Sequence, residues 1–282
     1  MNINQVILGD CLEVMRSMPD ASVDLVIGSP PYEDARTYGI GFQLRGQDWV
    51  DWMIERWREM QRISRGLVVM VVEGKTRNYR YSATPFLLAA DLHRAGFHLR
   101  KPVVFHRVGI PGSGGPDWLR NDWEPCICTA RPGRLPWSDN TACGHPPKWA
   151  PGGELSYRMA NGRRVHKVHT KNDGDKMRVQ GYTAPQKANP GNIIHCKVGG
   201  GRMGSMLAHE NEAPYPERLA EFFVRSFCPP GGVVLDPFSG SGTTAAVATK
   251  HGRNWIGIDI RESQVELTAR RVEEAARPLA GC

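Results

Sequence analysis

The sequence predicts an α/β fold built around a mostly parallel sheet. Short apolar runs alternate with segments of helical periodicity along most of its length. One run, Leu67-Val68-Val69-Met70-Val71-Val72, is apolar without alternation, as a central strand covered on both faces must be. Two other runs, Val23 to Ile27 and Val233 to Leu235, lead straight into segments dominated by proline or glycine. Turns of that kind sit at strand carboxyl ends, where open α/β sheets hold ligands.

In chain order, Val6-Ile7-Leu8 reads as a strand, Cys11 to Met18 as a helix and Val23 to Ile27 as a second strand, together a β-α-β unit. Trp49, Val50, Trp52, Met53, Trp57, Met60 and Ile63 recur at helical spacing, and the three tryptophans are assigned to the core. Gly66 is expected to break the chain before the central strand. A helix is expected from about Pro85 to Ala95, stopping at Gly96, with strands at Val103-Val104-Phe105 and within Glu124 to Ala130. Glu217 to Phe227 has an apolar helical face, and Pro229-Pro230-Gly231-Gly232 makes a turn before Val233-Val234-Leu235 and Asp236. Thr243 to His251 is a helix ending at Gly252, Trp255 to Ile258 a strand ending in Asp259, and Glu262 to Arg277 a final helix. No internal repeat interrupts the pattern.

The 282 residues are 40% hydrophobic and 23% charged, ordinary globular proportions that supply one large core or two small ones. No run approaches the roughly 18 consecutive apolar residues of a membrane span. Met1-Asn2-Ile3-Asn4-Gln5 lacks the sections of a secretory signal, and seven scattered cysteines do not read as a disulfide scaffold. A reducing, cytoplasmic setting is expected.

The net charge of +7 is not spread evenly. Between Arg131 and Arg202, 13 Lys and Arg stand against four acids, so this segment carries +9 and the remainder of the chain −2. Trp137, Trp149, Tyr157 and Tyr182 lie among these cations, a combination that suits phosphates and stacked bases; a loop-rich excursion without a partner is the alternative.

Asp236-Pro237-Phe238-Ser239-Gly240-Ser241-Gly242-Thr243-Thr244 stands between a buried strand and a helix, where glycines admit a ligand to the backbone and the helix start supplies free N–H groups. Asp259 follows Gly240 by 19 residues at the end of the next strand, where a carboxylate can accept from both hydroxyls of a ribose. Gly240-x-Gly242 with Ala245 nearly matches the dinucleotide fingerprint, so a nicotinamide enzyme is one reading. Asp236 at the strand end repels a pyrophosphate but pairs with an ammonium. A ligand with both adenosine and an α-amino group is S-adenosylmethionine.

Ser29-Pro30-Pro31-Tyr32 follows the strand Val23 to Ile27. Prolines have no N–H to give, so the reading places the Pro30 and Pro31 carbonyls as open acceptors beside the Ser29 hydroxyl and the Tyr32 ring. A planar base bearing an amino group could stack on Tyr32 and donate to these acceptors. The bland alternative is a rigid Pro-Pro turn.

Together these two segments resemble the amino-methylating DNA methyltransferases, with their S/D/N-P-P-Y/F/W catalytic motif and D-P-F-x-G-S-G-T-T cofactor motif. The catalytic motif comes first and the basic segment lies between, the order of the family's β group. The resemblance implies a Rossmann-like, circularly permuted S-adenosylmethionine-dependent fold: residues 1–130 and 193–282 as the core, 131–192 as a basic target-recognition insert. Ser29, Pro30, Pro31 and Tyr32 become the catalytic residues. By the same resemblance Asp10 reaches the adenine amino group, Asp259 clamps the ribose, and Tyr215, Pro216 and Glu217 close over the methionine moiety beside Asp236 to Thr244. Ser29 is the form common among cytosine-N4 enzymes, and adenine-N6 is the alternative target. The base is expected to leave the duplex for the pocket.

The partner implied is double-stranded DNA, and a cognate restriction endonuclease, in a bacterium or its virus, is a second candidate; a monomer and a homodimer both remain open. Lys75, Arg77, Arg80, Arg163, Arg164 and Lys167 are the candidate phosphate contacts. Gly109 to Gly115 reads as a flap or a surface loop. Cys126 and Cys128 are expected to pack as small hydrophobes; zinc bound with Cys143 and His145 fits the one-residue spacers poorly, and no metal is assigned. The competing functions are a methyltransferase of RNA or of a protein amide, and a DNA-binding module without catalysis.

Overall fold

The computed structural model describes residues 2–33, 41–109, 117–147, 156–158, 161–166, 186–199 and 202–277, with the backbone alone for 156–158 and 164–166. Its elements are β1 (Gln5–Leu8), α1 (Cys11–Arg16), β2 (Val23–Gly28), α2 (Gly46–Ile63), β3 (Ser64–Val71), β4 (Thr76–Arg77), β5 (Arg80–Tyr81), α3 (Thr84–Arg94), β6 (His98–Val108), β7 (Trp123–Ala130), β8 (Ser156–Arg158) and β9 (Arg164–His166). There follow β10 (Ile193–Lys197), α4 (Glu217–Phe227), β11 (Val233–Asp236), α5 (Thr243–Lys250), β12 (Asn254–Asp259) and α6 (Glu262–Ala276).

Eight strands form one sheet in the order β1-β12-β11-β2-β3-β7-β6-β10. Every pairing is parallel except the two made by β7. The first and last strands of the chain are neighbours, with Gln5 to Leu8 in register with Ile256 to Asp259. The expected β-α-β unit is therefore wider than the sequence implies: β12 and β11, from the far end of the chain, fill the space between β1 and β2.

Side chains of successive strand residues point to opposite faces, and each face is covered by helices. Leu25, Ile27, Val69 and Val71 share a cluster with Leu219, Phe223 and Val224 of α4 and Val247 of α5. Val26, Val68 and Met70 share the other with Trp49, Met53, Trp57 and Met60 of α2 and Leu88 and Leu92 of α3. Burial of each such side chain contributes about 1.5–3 kcal/mol against leaving it in water. Trp49 and Trp57 are fully buried, and each indole N–H finds an acceptor, the Pro31 carbonyl at 2.8 Å and Thr129 Oγ1 at 2.8 Å. Trp52 lies at the margin of this core: it packs against the second cluster but is half-buried and borders a cavity.

Gly66 does not interrupt the chain. β3 begins directly after α2, and Gly66 lies inside it, where the β2 register shifts between Val23 and Leu25 and a side chain would run into the Asp24 carbonyl. The expected insert also begins on the core: the Asp139 amide donates to Ser226 O at 2.9 Å, and Arg225 Nη2 donates to Ala142 O at 2.7 Å, holding this stretch against α4. β10, just past the expected boundary at 192, extends the sheet beside β6. No helix among the described residues is long and apolar enough to cross a membrane.

Cys126 and Cys128 are buried in β7, and burial pushes the Cys128 thiol up to about 12. Cys143 lies apart from them, its Sγ 3.9 Å from Glu221 O on α4. Among the described residues no three His, Cys, Asp or Glu side chains gather as a metal cluster.

Candidate active site

Because β1, β12, β11 and β2 are adjacent and parallel, their carboxyl ends lie along one edge of the sheet, carrying Asp10, Asp259, Asp236 and Ser29 respectively. Two cavities open there. One, of about 250 Å³, is lined by Asp10, Asp259, the Pro237–Ser241 turn, Phe42 and Trp52. The other, of about 360 Å³, is lined by Tyr32, Glu124, Arg107, Phe105 and Pro216. Ser29, Ala213, Pro214 and Tyr215 border both.

The first cavity is floored by the glycine turn. Gly240 and Gly242 take φ of +50° and +74°, values that favour glycine, and a Cβ on Gly240 would lie 2.8 Å from Asn211 Nδ2, itself on the cavity wall. Asp259 holds the turn in place: Oδ2 accepts from the Gly240 amide at 2.8 Å and Oδ1 from the Arg261 amide at 3.0 Å. Oδ1 also lies 3.7 Å from Arg261 Nε, while Oδ2 keeps a second lone pair. Asp10 caps α1 by accepting from the Leu12 amide at 2.8 Å, while its other oxygen lies 3.4 Å from Arg56 Nη2. Trp52 supplies an aromatic wall, with Phe42 at 5.0 Å, Phe238 at 5.9 Å and the Arg56 guanidinium 3.9 Å over its ring. Carboxylate acceptors, an aromatic wall and a glycine floor are the acceptors and shape that suit an adenosine moiety.

Several expected cofactor residues act from behind this wall. Asp236 does not line either cavity: it is 2% exposed, and it accepts from the Phe238 amide at 3.0 Å, Thr244 Oγ1 at 2.7 Å and Tyr215 Oη at 2.9 Å. The carboxylate expected to pair with an ammonium therefore lies behind the cavity wall, covered by Tyr215 and bonded to three protein donors. Burial pushes its carboxyl up to about 6, against the lowering effect of those hydrogen bonds. Ser241 and Thr243 border the cavity, but their hydroxyls accept from buried Arg271 at 2.9 and 2.8 Å. Glu217 pairs with Lys250 at 2.6 Å and Arg271 at 3.1 Å, so its carboxylate braces α4 against α5 and α6 and lines neither cavity. Gly242 packs on Thr268, where a Cβ would lie 2.9 Å from its Cα.

The proline segment runs between the two cavities: Pro30 and Pro31 line the first, Tyr32 the second, and Ser29 both. Ser29 Oγ lies 3.2 Å from both Tyr32 Oη and Val71 O. The Pro31 carbonyl is partly engaged, accepting from the Trp49 indole, so the acceptors of this segment with no such partner are Ser29 Oγ and the Pro30 carbonyl. Tyr32 Oη donates to Glu124 Oε2 at 2.8 Å, and Glu124 Oε1 is paired with Arg107 at 3.0 Å. Glu124 is 8% exposed. Neither Glu124 nor Arg107 belongs to a motif, and the antiparallel β6–β7 pairing that brings them here is a tertiary fact. Phe42 and Trp52 were equally hard to single out, although Trp52 and Arg56 stand four residues apart on one helical stripe beside the core stripe.

The candidate phosphate contacts fall into two groups. Lys75, Arg77 and Arg80 belong to the β4–β5 hairpin and its root; Lys75 is half-buried and the arginines are exposed. Arg163 is exposed and Arg164 lies in β9, while Lys167 lies outside the described residues. Most of the Gly109 to Gly115 segment, Trp149 and Tyr182 also lie outside them.

Residues 23–270 match a family model described as DNA methylase, which takes in both N6 and N4 enzymes. The chain belongs to the DNA methylase family. This methylase is 28% identical over 263 residues to the orphan methyltransferase M.BamHII of Bacillus amyloliquefaciens, with 90% of each chain covered. Its fold matches the cytosine-N4-specific PvuII DNA methyltransferase with a TM-score of 0.67 at 20% identity, over 94% of this chain and 85% of that one. It also matches a Thermus thermophilus protein described as a DNA modification methylase, solved with S-adenosyl-L-methionine, with a TM-score of 0.58 at 25% identity over 98% and 97% of the two chains.

Two outcomes follow from this geometry. Tyr32→Phe removes the donor of the Tyr32–Glu124 hydrogen bond, and Glu124→Leu removes its acceptor together with the Arg107 pair, so Tyr32→Phe should lower kcat for methyl transfer by about ten-fold in the wild type and by less in the Glu124→Leu background; equal losses in the two backgrounds in single-turnover assays would refute the coupling. For Asp236 the folded-state pKa is raised, so the protein retains a proton that the unfolded chain has lost. The stability this contributes is complete below about pH 4 and is lost as pH rises through about 6. Asp236→Asn should accordingly gain on wild type, by on the order of 3 kcal/mol between pH 4 and pH 7; unfolding curves whose difference is flat with pH would contradict the burial effect.

Proposed function

We propose that this methylase transfers a methyl group from S-adenosylmethionine to the exocyclic amino group of a base turned out of duplex DNA, with N4 of cytosine as the target. The observation that carries the reading is the common wall of the two cavities: Ser29 and Tyr215 border both the nucleoside-shaped cavity and the Tyr32 cavity. In this reading Asp259 accepts from the ribose, Asp10 faces the adenine, Trp52 and Phe42 cover it, and Tyr215 and Pro216 close the methionine end. S-adenosylmethionine, when bound, supplies an electrophilic methyl group. The protein's part is positioning: Tyr32 stacks on the base, while Ser29 Oγ and the Pro30 carbonyl accept from its amino group and aim the nitrogen lone pair across the common wall. No strong base or covalent intermediate is needed for such a direct displacement.

Residues 1–130 and 193–282 form the catalytic core in this scheme and 131–192 the target-recognition insert. Since the start of the insert is tied to the core, through Arg131 at Ser64 and through Asp139 and Ala142 at α4, DNA reading falls to the remainder of the insert together with Lys75, Arg77 and Arg80. The working context is a bacterial or phage cytoplasm, with a cognate restriction endonuclease as the functional partner. Ser29 at the head of the proline segment favours cytosine.

Purified protein, labelled S-adenosylmethionine and mixed-sequence duplex DNA test this directly, with the products digested to nucleosides and identified by mass spectrometry. N4-methylcytosine is the expected product. N6-methyladenine would overturn the base assignment, and label found only in RNA or protein substrates would overturn the DNA reading.

A further inference from the structure

The β4–β5 hairpin leaves the carboxyl end of β3, which is parallel and adjacent to β2, so it emerges from the same edge as the Ser29–Tyr32 segment. Its root is tied to that segment. Glu33, the residue after Tyr32, accepts from the Lys75 amide at 3.2 Å and from Thr84 Oγ1, one on each side of the hairpin, and from the Gly46 amide at 2.9 Å. Ser82 closes the root, with its amide on Lys75 O at 2.9 Å and its hydroxyl accepting from the Lys75 amide at 3.0 Å. Tyr81 packs on Gly74 and against Phe86, and its hydroxyl donates to Glu73 at 3.1 Å. The base of the hairpin is therefore built for stability.

Its tip is not. Asn78 and Tyr79 form the two-residue turn with φ of +47° and +63°, as the twist of a tight hairpin demands. Asparagine tolerates that region, whereas a bulky side chain at the second position is strained where glycine would be relaxed. Tyr79 is also 81% exposed, an aromatic ring held in water. Arg77 and Arg80 stand directly opposite each other across the ladder, and like charges so placed repel, whatever else each touches. Strain, an exposed ring and facing cations are thus gathered on four residues whose root is fixed to the catalytic segment. A polyanion with stacked aromatic faces relieves the last two together.

We infer that the Arg77–Arg80 turn is a duplex-docking finger: Tyr79 stacks on the base face exposed beside the displaced nucleotide, and Arg77 and Arg80 meet the flanking phosphates. This rests on the DNA-methylation reading above. Tyr79→Gly separates it from a structural role, because glycine relaxes the turn: the variant should melt at or above the wild-type temperature. Its affinity for mixed-sequence duplex should nevertheless fall about ten-fold, the scale of one lost base stack. Tyr79→Phe should keep duplex affinity within about two-fold of wild type, since the ring is retained. Cofactor affinity should be unchanged in both. Unchanged duplex affinity and turnover in Tyr79→Gly would overturn the inference, as would a loss in Tyr79→Phe equal to that in Tyr79→Gly. If the wild type bound duplex but transferred no methyl group to it, the methylation reading would fall, while the binding comparison would still decide the role of Tyr79.

Discussion

Asp236 is a carboxylate without access to water, and three separate parts of the chain are bonded to it. The Phe238 amide belongs to the glycine turn, Thr244 to the first turn of α5, and Tyr215 to the segment that enters α4. A fourth part touches it without bonding: a Cβ on Gly28, at the end of β2, would lie 2.6 Å from Asp236 Oδ1. The two cavities are aligned because the strands bearing them are neighbours, and this one side chain sets where the turn, the helix and the Tyr215 wall lie relative to the proline segment. A buried ionisable group is tolerable only when such donors replace water, and its raised pKa records how incompletely they do so.

Around that point the polar groups behind the cavities are arranged in a second tier. Arg271, 1% exposed, donates to Ser241 and Thr243 and is paired with Glu217. Glu217 is paired in turn with Lys250 of α5, so the helices that carry the turn are braced from the rear. On the other side Glu33 plays the equivalent part, joining α2, the hairpin root and α3 to the residue after Tyr32. Hydrogen bonds from Ser82, Thr84 and the Gly46 and Lys75 amides outweigh its burial and hold its carboxyl below the ordinary carboxylate range. Each motif is thus backed by a carboxylate, Glu217 or Glu33, that does not line the first cavity.

Seven of the eight strands of the main sheet were legible as short apolar runs bounded by turn residues, and the site because Ser29 to Tyr32 and Asp236 to Thr244 have few other uses in such positions. β10 was not, because Ile193 to Lys197 is short and alternates within the basic segment. Three features of the site were not legible either. Periodicity assigns Trp52 to the core because it counts apolar residues on a face, and only the packing of residues 41–45 against α2 shows a second stripe of Trp52 and Arg56 beside the first. A proline carbonyl looks open in a sequence, yet the Pro31 carbonyl receives an indole from α2, eighteen residues on. Asp236 reads as a ligand-facing acid because strand ends are commonly wet, whereas here Tyr215, from a different segment, covers it.

The central claim is that Asp236 holds the glycine turn and the Tyr215 segment as one unit. Amide hydrogen exchange on Asp236→Ala against wild type measures this directly, followed over peptides covering 213–222 and 237–244, the first of which contains the bonded amides of Glu217 and Leu219. Loss of protection in both stretches together is the predicted result, with β6 and β7 unchanged. Loss confined to 237–244, with 213–222 as protected as in wild type, would contradict it.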